Sequence, residues 1–86
     1  MDKIEVSKSF IRSLKRLLVE AKEHKAEYLE LNKQFEDRAK NPVAGDINTP
    51  EDNRANAWIF QGKADAYGYI AKKIENELRF YGILNE

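Results

Sequence analysis

The stretch "KNPVAGDINTPEDN", Lys40 to Asn53, decides the fold, because it holds both of the chain's prolines between two long segments that read as helix. Pro42 disfavours helical geometry at Asn41, and Gly45-Asp46 is a turn signal, so a helix arriving from the N-terminal side must stop here. A second helix starts at once. Thr49 is a good N-cap, Pro50 suits the first helical position, and Glu51 and Asp52 place negative charge where the helix dipole favours it.

Upstream of the break, Phe10, Leu14, Leu17, Ala21, His24, Tyr28, Leu31 and Phe35 recur in steps of four and three. That spacing predicts a heptad seam, and Ile11, Leu18 and Leu29 beside it widen the seam into the stripe of a core-facing helix. The start falls within the first nine residues, with an Asp2–Glu5 capping box or with Ser7 or Ser9 as N-cap. Downstream, Phe60, Ala64, Tyr67, Ala71, Ile74, Leu78 and Tyr81 repeat the pattern up to Gly82, a C-terminal cap. The expected fold is therefore all-α: two long antiparallel helices, about residues 7–40 and 50–81, in one helical-hairpin domain spanning 1–86.

The segment "NAWIFQGKADAYGY", Asn56 to Tyr69, adds a complication. Beyond its main seam the second helix carries another stripe, Ala55, Ile59, Gly62, Ala66 and Tyr69, with Trp58 and Ile70 adjoining. A hairpin supplies only one helix to pack against, so this stripe lacks an intramolecular partner. Each glycine inside a helix costs about 1 kcal/mol relative to alanine and permits close approach by another helix or a ligand. The reading is a hairpin that self-associates into a bundle through Ala55, Ile59, Ala66 and Ile70. A single core in 86 residues is marginal without such reinforcement.

Composition limits the chemistry. With no cysteine there is no disulfide, thiolate site or cysteine nucleophile. One histidine, His24, has neither a second histidine nor a cysteine to complete a nucleophilic triad, and Ser7, Ser9 and Ser13 lack a neighbouring base. "EAKEH" offers Glu20, Glu23 and His24 at the wrong spacing for a bundle metal site. No catalytic residue, cofactor or metal is expected. Fifteen basic and fifteen acidic residues cancel, which disfavours nonspecific nucleic-acid binding, although Lys8, Arg12, Lys15 and Arg16 fall in a segment without an acid. No apolar run approaches a membrane span, and the polar N-terminus is unlike a signal peptide, so the expectation is a soluble, cytoplasmic protein without membrane association.

The residues suited to binding are Arg54, Trp58, Gly62, Lys63, Gly68 and Tyr69, since flat rings beside cations suit either a nucleotide or a protein hot spot. The pattern Trp58-x3-Gly62-Lys63-x4-Gly68-Tyr69 resembles the core of the second helix in the phage helical-hairpin sponges, which sequester cyclic oligonucleotide signals of bacterial antiviral defence (the anti-CBASS and related anti-Thoeris hairpin family). The resemblance covers about fifteen residues. It implies a non-enzymatic hairpin, encoded by a phage or mobile element, assembled into an oligomer with nucleotides held between protomers. The family's Thr-Gln pair is here Ala64-Asp65, and its basic, tyrosine-bearing leader is not matched by "MDKIEVSKSF". Three functions follow as expectations: an interaction or inhibitor module against a host protein or other host macromolecule, a cyclic-oligonucleotide sponge, or a purely structural bundle. The partners to be weighed are a second copy of the chain, a host protein and a cyclic oligonucleotide.

Overall fold

The computed structural model describes residues 7–82, which form two helices, α1 (Lys8–Lys40) and α2 (Pro50–Phe80), joined by nine residues. The Asp2–Glu5 capping box lies outside the described residues. α1 starts where Ser7 accepts the amide of Phe10 at 3.0 Å. α2 starts with a reciprocal box, in which the Thr49 hydroxyl accepts the Asp52 amide at 3.1 Å and the Asp52 carboxylate accepts the Thr49 amide at 3.2 Å. It ends at a Tyr81 cap followed by Gly82 at φ 76°, a left-handed conformation that suits glycine.

The helices run antiparallel along a rod of 65 × 18 × 17 Å, so that Phe10 meets Tyr81 at the open end. On α2 the seam is as expected and reaches further back. Asn53, Ala57, Ala64, Ala71 and Leu78 are buried, while Phe60, Tyr67, Ile74 and Tyr81 alternate with them and are half-buried.

On α1 the seam has a different phase. Leu14, Ala21, Tyr28 and Phe35 form one of its rails as expected, and Leu31 is half-buried as expected. The other rail shifts toward Ile11, Leu18, Asn32 and Ala39, with the exposed Lys25 in line with them, while Phe10 and His24 touch α2 only through their rings, at Tyr81 and Tyr67. Ile11, Leu18 and Asn32 are half-buried and Ala39 is buried, whereas Phe10, Leu17 and His24 are exposed. The physical reason is that two polar residues make interhelical contacts that no hydrophobicity pattern registers. Asn32 Nδ2 donates to the Ala57 carbonyl at 2.7 Å, and the Lys25 side chain lies across Gly68, 3.3–3.5 Å from where a Cβ would stand.

The contact thus has two unlike edges. Along one, rings alternate between helices. His24 lies against Tyr67 with centroids 5.0 Å apart, Tyr67 stacks on Tyr28 and Tyr28 on Phe60, each at 5.8 Å, and Phe60 stacks on Phe35 at 5.6 Å. Arg38 covers Phe35, and Lys63 sits 5.4 Å from Tyr28 and 5.6 Å from Phe60. The other edge is built on small residues and polar clamps, including the Lys22–Glu75 ion pair at 3.1 Å.

The loop is tied down by Asn53, which is 1% exposed. Its Nδ2 donates to Asp46 Oδ2 at 3.1 Å and its Oδ1 accepts from Asn48 Nδ2 at 3.4 Å, while Asp46 Oδ1 accepts the Asn48 amide at 3.0 Å. Gly45, at φ 90°, allows the turn that brings Asp46 round to this position. Among the described residues no helix is long and apolar enough to cross a membrane.

Candidate functional site

The outer face of α2 carries a run of apolar and small residues that the hairpin leaves unpaired. Ala55, Ile59, Gly62, Ala66 and Tyr69 are all exposed, and continuing their four-and-three spacing through Lys73 and Asn76 reaches Phe80, also exposed. Tyr69 is 64% exposed and Phe80 67%. A second heptad seam therefore runs the length of α2 on the side away from α1. Lys73 Nζ lies 5.5 Å over the Tyr69 ring, so the one cation within this seam rests on an aromatic face.

Trp58 stands beside this seam and is 75% exposed, with Arg54 exposed one turn nearer the N-terminus. Residues four apart share a helix face, so the indole and the guanidinium belong to one patch. A large ring in water beside a cation is the composition of a recognition hot spot.

The remaining sequence-selected residues separate. Lys63 lies at the opposite flank, over Tyr28 and Phe60, and is roughly 140° around the helix from Trp58 at 100° per residue. A single chain does not bring these two together. Gly62 faces open space, with nothing within 4 Å of a Cβ placed there, whereas Gly68 turns toward α1 and takes the stem of Lys25. The two glycines, which look alike in sequence, do different things: Gly68 receives the end of the Lys25 side chain from α1, and Gly62 lies on the outer face. Ile70 is exposed at the margin between the outer seam and the aromatic edge.

The sequence reading passed over the loop end. A cavity of about 310 Å³ opens there between Pro42, Val43, Ile47, Pro50 and Asn53, and Ile47 is 96% exposed at its rim. Asp46 beneath it has its pKa held below the usual carboxylate range, first by the Asn48 backbone amide and then by the Asn53 side chain. The available signal was the seam itself, because one heptad back from Phe60 is Asn53.

As chemistry, these surfaces offer apolar contact, ring faces and fixed cations. His24 Nδ1 is 3.1 Å from Glu27 Oε1, and among the described residues no group of three metal-ligating side chains converges. No protein-family model, curated protein or solved structure matches this chain.

Proposed function

We propose that this chain is a small non-enzymatic interaction module that binds a larger host macromolecule through the Arg54–Trp58 patch of α2. The observation that carries the reading is the 75% exposure of Trp58 on a long, regular helix. A rigid helix presents its anchor with little ordering left to do, and a buried indole with a neighbouring guanidinium is the pairing that dominates binding energy in protein interfaces. An anti-defence role and a phage or mobile-element origin are part of the proposal and draw on the sequence resemblance alone.

The sponge alternative holds its nucleotide between protomers. Trp58 and Lys63 lie on different flanks of one helix, so it requires Trp58 of one copy to meet Lys63 of another, whereas the interaction module needs only the Arg54–Trp58 patch of a single chain.

The test is affinity capture from bacterial lysate with the wild type, Trp58→Ala and Arg54→Ala side by side, together with titration of cyclic di- and trinucleotides. One specific protein recovered by the wild type and lost with both variants, at unchanged helical circular dichroism, supports the module. Binding heats from a cyclic nucleotide with no protein recovered would replace it with the sponge.

A further inference from the structure

We infer that the outer seam of α2 is covered by a second copy of this chain, packed antiparallel, with the two-fold axis between Ala66 and Tyr69. The inference concerns the seam beside the Arg54–Trp58 patch and does not require the macromolecular partner.

The first support is shape. Antiparallel heptad seams interdigitate so that the two rails of one helix meet the opposite rails of the other. Centring the pair between Ala66 and Tyr69 then sets every small residue of this seam against a bulky one: Ala66 meets Tyr69, Gly62 meets Lys73, and Ala55 meets Phe80. A parallel pairing would instead set like against like, with Lys73 on Lys73 and a gap at Gly62. The open space over Gly62 is thus where the partner's longest seam side chain would lie.

The second support is charge. From Glu27 to Arg54, the loop half of the rod, the chain has seven acids and four bases, a net −3. The stretches Lys8–Glu23 and Lys63–Arg79, toward the open end, have nine bases and five acids together, a net +4. Antiparallel packing lays each acidic end along a basic one, and parallel packing joins like ends. On one rim the same register also brings Asp65 to Lys72 of the other copy, twice by symmetry, and Trp58 close to Arg79.

The third support is size. The only fully buried apolar residues are five alanines and Leu78, among the described residues, while Ile59, Tyr69, Ile70 and Phe80 stay exposed on α2. Two helices alone make a thin core, and a four-helix arrangement is the smallest that covers this face.

The absence of cysteine makes the test direct, since single-cysteine variants label at one site only. Lys63→Cys and Glu77→Cys place spin labels on the same rim of the seam. In the antiparallel pair the axial separations are about 14 Å for Lys63 and about 28 Å for Glu77, at 1.5 Å per residue. The expected result is a dimer by mass measurement, a short distance for the first label and a long one for the second, and loss of the dimer in Ala66→Glu. Short distances from both labels would mean parallel packing and overturn the inference. So would a monomer at high micromolar concentration, or a dimer that tolerates Ala66→Glu. If Ala66→Glu fails to fold, the two label distances in the otherwise native chain still decide the matter.

Discussion

Lys25 lies across Gly68, its Nζ 3.3 Å and its Cε 3.4 Å from the position a Cβ would take. A residue that reads as a solvated cation thus also touches the facing helix, laying the end of its side chain over backbone that a glycine leaves bare.

This relationship separates the two glycines of α2 experimentally. Gly62→Ala meets nothing within 4 Å in the hairpin, and alanine improves helix propensity, so it raises stability by about 1 kcal/mol in urea denaturation. Gly68→Ala gains less, because the end of Lys25 must move aside. Equal gains at the two sites would mean that Lys25 does not pack there.

The Asn53 hub sets the loop. Asn53→Ala strands the Asp46 and Asn48 side chains that it joins, and burial of unsatisfied polar groups makes the loss about 2–3 kcal/mol, read as a lower urea midpoint. A loss below about 0.5 kcal/mol, the size of an ordinary surface substitution, would show that the loop closes without it.

Asn32→Ala removes the 2.7 Å bond to the Ala57 carbonyl and costs about 1 kcal/mol. Leu17→Ala, at a position that the sequence pattern assigns to the seam, costs less than Leu18→Ala, since Leu17 is exposed and Leu18 half-buried. The order of the two leucine variants by thermal melting checks the seam's phase.

The aromatic edge is continuous, and within it Phe60 is stacked on Tyr28 and Phe35 and covered by Lys63. Phe60→Ala breaks two stacks at once and costs about 3 kcal/mol, near the low end for a large-to-small aromatic change because the ring is only half-buried. Calorimetry or urea denaturation of the variant measures it.

Acid sensitivity follows from two carboxylates. Asp46 is held below its ordinary pKa by the Asn48 amide and the Asn53 side chain, and Glu75 by its hydrogen bond to Lys22. A folded-state pKa below the unfolded one gives stability that is present above the unfolded value and lost as pH falls through the folded value. The urea midpoint should therefore hold from neutrality to about pH 5 and fall progressively below it, with Asp46→Asn and Glu75→Gln each flattening the drop.

Local signals determined most of the fold. Pro42, the Thr49–Pro50 start and Gly82 act within a few residues of themselves, and the α2 seam from Ala57 onward is apolar, so spacing alone locates its buried face. The exposed outer stripe was legible for the same reason, and with it Trp58 beside Arg54. What only the tertiary structure decided are the contacts in which residue type misleads. Lys25 and Asn32 touch α2 because Gly68 leaves room for one and the Ala57 carbonyl accepts from the other. Lys63 leaves the Trp58 patch for the rings of Tyr28 and Phe60, and Asn53 becomes buried because Asp46 and Asn48 come round to satisfy it. Each depends on a partner that is far along the chain or set by a turn, and hydrophobic periodicity, which scores residues one at a time, has no means of registering a pair.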